Sequence, residues 1–245
     1  MRPATRVQPS ELGEVLQLGW LSRVPSDFRG VVIGLARRRS LEPGAAVFAP
    51  GGDDAAVFGI AVGALEFTSR YGPVHGTPLH IGHPGFWFGF GPIVTGSPRR
   101  VSACALKSTV LLEVPSRPLA EQLRSRPEWW RIMAAPLGEY GDMAAAAAAD
   151  FQLPDIDQRC IAILLRLADC RFEGGGDTPR EIPLSQERLA AMANVSRNRL
   201  AALLRELRAQ GLVRLSYGAM TPTQPQLLRA IVNGDRPFRL PRGRG

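Results

Sequence analysis

The chain has 245 residues, a formal net charge of +8 and 45% hydrophobic content, enough for about two domains, each with its own core. Its longest low-complexity run, Ala144 to Ala149, falls far short of the roughly 20 apolar residues that cross a bilayer, and residues 1–10 lack the apolar stretch of a secretory signal; a cytoplasmic protein with no membrane partner is expected. Three cysteines, Cys104, Cys160 and Cys170, are too few and too scattered for a disulfide framework or a four-thiolate cluster, and buried thiols are expected.

In chain order, the spacing of Leu12, Val15, Leu16 and Leu18, then of Phe28, Val31, Val32 and Leu35, predicts short helices within residues 10–40. Arg37-Arg38-Arg39 reads as a solvated helix end. From Ser40 to about Pro115 the texture changes to short β-type runs broken by Gly and Pro: Ala45–Phe48, Ala56–Val62, Ala64–Thr68, Leu79–Ile81, Phe86–Phe90, Arg100–Leu106 and Thr109–Val114. That rhythm is the signature of an antiparallel sandwich or barrel. Helical texture returns in Pro118–Leu123, Glu128–Phe151 and Asp155–Cys170, with Pro136, Gly138 and Gly141 expected to kink or weaken the middle one. Residues 171–183 have the Gly/Pro-rich character of a hinge between domains.

The segment 186–207 then reads as a helix, a tight turn and a second helix. Ala190 is small where the helices would cross, and Leu189, Ala193, Val195, Leu200 and Leu203 supply the apolar contacts. Asn194 stands at the sharp turn, where a residue tolerant of positive φ is needed. Ser196 is placed to cap the second helix, whose apolar face is Leu200, Leu203, Leu204 and Leu207. Arg197, Asn198, Arg199, Ala201, Ala202, Arg205 and Arg208 are left for groove, backbone and solvent. Residues 180–245 hold twelve Arg against Glu181, Glu187, Glu206 and Asp235, whereas residues 1–179 carry 18 basic and 18 acidic residues. A neutral body joined to a basic small domain fits a phosphate-binding module, although Arg236, Arg239, Arg242 and Arg244 also fit a merely solubilising tail. Of the 30 basic residues only Lys107 is Lys, which reads as base-composition bias rather than chemistry.

The order of these segments resembles the Crp/Fnr transcription regulators over about residues 18–231. The resemblance is carried by Pro43-Gly44, Gly51-Gly52-Asp53, Gly63, the block Pro84-Gly85-Phe86-Trp87-Phe88-Gly89, Arg99, Ala105, the block from Arg159 to Leu167, and Gly211-Leu212-Val213 with a wing of Val213–Tyr217 and Ala219–Thr223 around Gly218. It implies an α+β chain: an antiparallel β-roll sensor domain at 1–123, a long dimerisation helix at 124–152, and a winged helix-turn-helix DNA-binding domain at 153–245. The implied partners are double-stranded DNA, read at two half-sites by a homodimer, and RNA polymerase as a candidate. The stripe Trp129, Ile132, Met133, Leu137, Tyr140 and Ala144 is expected to face the partner, with packing on the roll as the alternative. Arg197 falls where the family places a base-reading Arg. Asn198 replaces the family's usual Glu, and Ala202 a further Arg, so a different operator is expected. Ser185 and Gln186 are expected phosphate contacts, as are Arg199, Arg205 and Arg214, and Ser196 completes the set.

The small-molecule site departs from the family. Cyclic-nucleotide binders carry Gly-Glu, whose carboxylate accepts from the ribose, and an Arg about ten residues on that pairs with the phosphate. Here Gly89 is followed by Phe90, expected to fill the sugar's space, and Arg99 or Arg100 remains to meet an anion or lie in solvent. The effector pocket is therefore assigned to Gly89, Phe90, Arg99 and Arg100, the effector is unknown, and weak or no cAMP binding is expected. His75, His80 and His83 fall within nine residues, but no nearby Cys or paired carboxylate completes a metal set, and the cysteine cluster of an iron–sulfur sensor is missing. No metal or cofactor is expected. Two alternatives stand: a cyclic-nucleotide-responsive activator, separable by calorimetry, and a metal enzyme built on the β-roll, separable by metal content. No catalytic triad, phosphate-cradling Gly loop or paired acid site stands out, and a non-enzyme is expected.

Overall fold

The computed structural model describes residues 13–48, 56–69, 78–172 and 178–238. The chain divides into two compact units, Met1–Met143 and Ala144–Gly245. The first opens with α1 (Gly13–Gln17), a 3₁₀ turn (Trp20–Arg23) and α2 (Ser26–Leu35). Strands β1 (Arg37–Leu41), β2 (Ala56–Val62), β3 (Leu65–Ser69), β4 (Pro78–Gly82), β5 (Trp87–Phe88), β6 (Val101–Ala105) and β7 (Thr109–Pro115) follow, with α3 (Phe90–Thr95) between β5 and β6. Helix α4 (Ser116–Ser125) and a 3₁₀ turn (Pro127–Trp129) lead into α5 (Trp130–Phe151), which runs across the boundary between the units.

The strands form two antiparallel sheets, ordered β1-β7-β2-β5 and β4-β3-β6. Alternation along β2 explains their stacking. Ala56, Phe58 and Ile60 face a cluster shared with Leu65, Phe67, Phe88, Ala103 and Leu111 from both sheets. Val57 and Ala61 face the opposite cluster, with Trp20, Phe28, Trp87, Phe90, Leu112 and Met133 under the helices. Both faces of β2 are thus buried, which is why its sequence is apolar throughout rather than alternating.

Several expectations are corrected here. Arg37-Arg38-Arg39 is not a helix end but the edge strand β1, with Arg37 opposite Glu113 and Arg39 bonded to Glu113 at 3.3 Å; a charged edge strand resists pairing with other chains. Ala45–Phe48 forms no strand, only an isolated bridge from Ala46 to Cys104. The run Phe86–Phe90 ends as a strand at Phe88, because Gly89 turns at φ 93° and Phe90 begins α3. Helix α5 continues through Pro136, Gly138 and Gly141 despite the kink or weakening expected there, and the loss at the proline is local. A proline there removes the donor for the Ile132 carbonyl one turn back, and Trp20 Nε1 supplies it instead, at 2.9 Å.

The second unit holds α6 (Ile156–Leu167), α7 (Gln186–Ala193), α8 (Arg197–Ala209), the hairpin β8 (Val213–Ser216) and β9 (Ala219–Pro222), and α9 (Pro225–Asn233). The Asp155 carboxylate caps α6 by accepting from the Asp157 and Gln158 amides. Buried Asp150 accepts from Arg166 Nε at 3.4 Å and from Arg171 Nε at 3.0 Å. Residues 171–183 do not separate the two units, since they lie inside the second, and Ile182 exchanges backbone hydrogen bonds with Met220. Within that stretch residues 173–177 lie outside the described residues, as do Leu12, Gly51-Gly52-Asp53, His75, Arg239, Arg242 and Arg244. Cys160 and Cys170 are buried, whereas Cys104 is only half-buried, beside the Gly44 carbonyl at 3.1 Å.

Candidate nucleic-acid interface

Local chemistry fixes the helix pair. The Ser185 hydroxyl accepts from the Arg188 amide and so caps α7. At its far end Asn194 sits at φ 52°, ψ 50°, the left-handed geometry that Asn tolerates, and its amide and that of Val195 close onto the last turn. Two residues on, the Ser196 hydroxyl accepts from the Arg199 amide and starts α8. Leu189, Ala190 and Ala193 of α7 are buried, as are Leu200, Leu203, Leu204 and Leu207 of α8, so the apolar stripes read from spacing are the buried faces. Val195 is half-buried.

The opposite face of α8 is open. Ser196, Arg197, Asn198, Arg199 and Arg205 are exposed, with Arg208 on the last turn. The side chains of Arg197, Arg205 and Arg208 make no hydrogen bond or ion pair with other described residues, leaving their donors available for phosphate or base acceptors. Arg199 differs: its Nη2 donates to Asp157 Oδ1 at 2.7 Å. Ser185 is exposed and Gln186 half-buried at the start of α7, and Arg214 is exposed on β8. At the two-residue turn between β8 and β9, Tyr217 is fully exposed beside Gly218 at φ 67°. Asp157 and the exposure of Tyr217 are features beyond the expected set of contact residues. Tyr-Gly between two short β-type runs is a readable turn signal for the second; the first has none, because its partner is 42 residues away.

The segment assigned as the effector pocket, Gly89, Phe90, Arg99 and Arg100, splits between two sides of β2. Phe90 does not fill a space between the sheets. Its ring is fully buried on the helical side, 4.8 Å from Trp20 and 6.4 Å from Tyr140. The space between the sheets is packed instead by Phe58 and Phe88, stacked at 5.2 Å, with Phe67 edge-on to Phe88 at 5.0 Å and Phe86 5.5 Å from Phe67. Arg99 lies half-buried at the rim. Its guanidinium sits 4.3 Å above the Phe48 ring and 5.6 Å from Phe58, and donates to the Ala56 carbonyl at 2.9 Å. Gly89 faces the same group: a Cβ there would meet the Ala56 oxygen at 2.6 Å and Arg99 Nη1 at 3.1 Å. Arg100 is exposed. His80 packs between Phe67 and Phe86, His83 is buried just past β4, and no metal-binding group of three His, Cys, Asp or Glu side chains occurs among the described residues.

The stripe on α5 also turns inward. Trp129 and Met133 are buried in the helical-side cluster of the first unit, and Ile132, Leu137 and Tyr140 pack against it, so for these five residues the alternative of packing on the roll is the one realised, while Ala144 of the same stripe is exposed. The exposed residues of α5 include a run of small ones, Ala134, Gly138, Gly141, Ala145 and Ala148, with the charged Arg131 and Asp142 exposed beside them. No described helix is long and apolar enough to cross a membrane.

Residues 38–126 match the family model of the cyclic nucleotide-binding domain, and residues 158–231 that of the Crp-like helix-turn-helix domain. Solved structures share the fold. FixK2 from Bradyrhizobium japonicum is 16% identical at a TM-score of 0.65, covering 83% of this chain and 99% of its own. The c-di-GMP-responsive global regulator CLP of Xanthomonas campestris is 16% identical at 0.61, covering 81% and 99%. A CRP-family transcriptional regulator from Thermus thermophilus is 19% identical at 0.60, covering 83% and 98%. No curated protein sequence matches the chain.

Proposed function

The chain belongs to the Crp/Fnr family of DNA-binding transcription regulators, and from that premise we propose that it reads a near-palindromic operator as a homodimer and does so without cAMP. The observation that carries the reading is the face of α8: Ser196, Arg197, Asn198 and Arg205 stand exposed on a helix whose other side is locked by leucines. Arg197 contacts a guanine edge. Ser185, Gln186, Ser196, Arg199, Arg205 and Arg214 meet the phosphate backbone, and Asn198 reads a base where relatives use Glu. The division of labour is a sensor domain at 1–123, a connecting helix at 124–152 and a DNA-binding domain at 153–245. Its role is regulatory rather than enzymatic, with RNA polymerase as the partner that reads the bound protein and the cytoplasm as its place.

Dimerisation uses the outward face of α5. A Cβ on Gly138 or Gly141 would meet nothing within 4 Å, and a face of Ala and Gly lets a second helix approach closely, burying backbone as well as side chains. Twofold pairing sets two copies of α8 about one turn of DNA apart. Independence from cAMP rests on Phe90, which offers no acceptor to a ribose, and on Arg99, which is already engaged with Ala56 and Phe48. An effector of other chemistry meets Gly89, Arg99 and Arg100 at the same rim, whereas Phe90, assigned to that pocket by sequence, is buried on the helical side and takes no part.

Selection of sites from random duplex DNA by the purified, ligand-free protein tests this directly. Enrichment of a palindrome with half-sites one helical turn apart is the expected result. Enrichment only after adding cAMP would instead support a nucleotide-responsive activator, and a monomer by sedimentation at the concentrations used would remove the dimer.

A further inference from the structure

Arg199 and Asp157 join two helix starts that are 42 residues apart in sequence. Asp157 lies in the first turn of α6 and Arg199 in the first turn of α8. The carboxylate is 8% exposed and the guanidinium 43%, with 2.7 Å between Oδ1 and Nη2. Such a pair adds little stability. Removing the carboxylate from water offsets most of the attraction, and well-packed apolar residues hold two helices together equally well. Burial indeed pushes the Asp157 carboxyl above its ordinary range, and Arg199 pulls it only part of the way back. What an ion pair does that two leucines cannot is aim a charge.

The guanidinium carries five donors in a rigid plane. Among the described residues only its Nη2 is engaged, by Asp157, so the Nε and Nη1 edges are left to solvent at the exposed start of α8, next to Ser196, Arg197 and Asn198. An unpaired arginine would lose rotamer freedom on docking, and that loss subtracts from affinity. One already held by a buried carboxylate has lost it beforehand. We propose that Asp157 is a positioning residue for DNA binding: it fixes the Arg199 guanidinium so that its open edge meets a backbone phosphate when α8 enters the major groove. The proposal rests on the reading of α8 as the recognition helix and adds to it a residue that touches no DNA.

The test uses the full-length protein, a fluorescent duplex carrying the selected operator and a random-sequence duplex, titrated across a salt series. Arg199→Ala is expected to weaken both complexes several-fold and to lower the slope of log K against log salt by about one per protomer. Asp157→Asn is expected to weaken binding by a smaller factor, about two- to five-fold, and to add nothing when Arg199 is already Ala, because it acts only through that side chain. If Asp157→Asn does not fold, the apolar pair Asp157→Leu with Arg199→Met carries the test, since it restores packing without the charge; it should reproduce the slope of Arg199→Ala. An unchanged slope in Arg199→Ala or in the apolar pair overturns the proposal. So does an Asp157→Asn loss that persists in the Arg199→Ala background, which would mark a role in the fold alone. Failure of the underlying reading looks different: the wild-type protein shows no preference for the selected duplex, Arg197→Ala changes nothing, and both ideas fall together.

Discussion

Trp20 Nε1 donates to the carbonyl of Ile132 at 2.9 Å, and that carbonyl is the acceptor which Pro136 leaves empty in α5. The indole thereby repairs the helix at its proline and ties the N-terminal 3₁₀ turn to it, 112 residues apart in sequence. Replacing Trp20 by Phe leaves a part-buried carbonyl without a donor and should cost about 1–3 kcal/mol in urea unfolding. With Pro136→Ala the backbone amide returns to that carbonyl, so the same substitution should cost less there. Equal losses in the two backgrounds would remove the repair argument.

Arg99 is held at the rim of the roll by the Phe48 ring and the Ala56 carbonyl. Arg99→Ala should lower stability by about 1–2 kcal/mol, from the lost stack and hydrogen bond. Adding cAMP to the wild-type protein should leave its melting temperature unchanged, whereas a shift that grows with nucleotide concentration would reveal binding.

Arg197 is exposed on the first turn of α8 with all its donors unengaged by the described residues. Arg197→Ala should relax specificity at one base pair per half-site and cost about 1–3 kcal/mol per site. Competition between the operator and its single-base variants reads this out, and an equal loss on operator and random duplex would assign Arg197 to phosphate instead.

Asp157 makes stability depend on pH in an unusual direction for a carboxylate. Burial raises its folded-state value above the ordinary 3.8, so the folded chain binds this proton more tightly than the unfolded one. Its contribution is therefore favourable below pH 3.8 and is lost as pH rises through the raised value. The charged neighbours in that environment are Arg199, which opposes the rise, and Asp155, which adds to it. Asp157→Asn should remove this slope from the stability profile measured between about pH 3 and 6; a profile that keeps it would place the titration on another group.

Burial pushes the Cys160 and Cys170 thiols up to about 11. At pH 8 each then exposes only about one part in a thousand as thiolate, so alkylation of the native protein should stop at half-buried Cys104 and reach the other two only on unfolding. Intact-mass spectrometry counts the modified thiols, and rapid modification of all three would contradict the packing.

Sequence alone determined whatever depends on neighbours within a helical turn or a strand pair. The cap residue Ser196, the left-handed Asn194, the leucine stripe of α8 and the limits of β2 all follow from local sterics, hydrogen bonding and periodicity, and with the order of segments they specified an α+β roll followed by a winged helix-turn-helix. Tertiary structure decided what depends on which surface covers which. A buried ring reads alike whichever core it enters, so only the fold shows Phe90 on the helical side and Phe58 with Phe88 between the sheets. The stripe Trp129, Met133 and Tyr140 likewise fits a partner or its own domain equally well by spacing, and the three arginines 37–39 carry no local mark of the strand opposite them. The donors that complete Ile132 and orient Arg199 come from residues 112 and 42 positions away. Pairings of that range arise only when packing has brought the chain together, because no local periodicity encodes them.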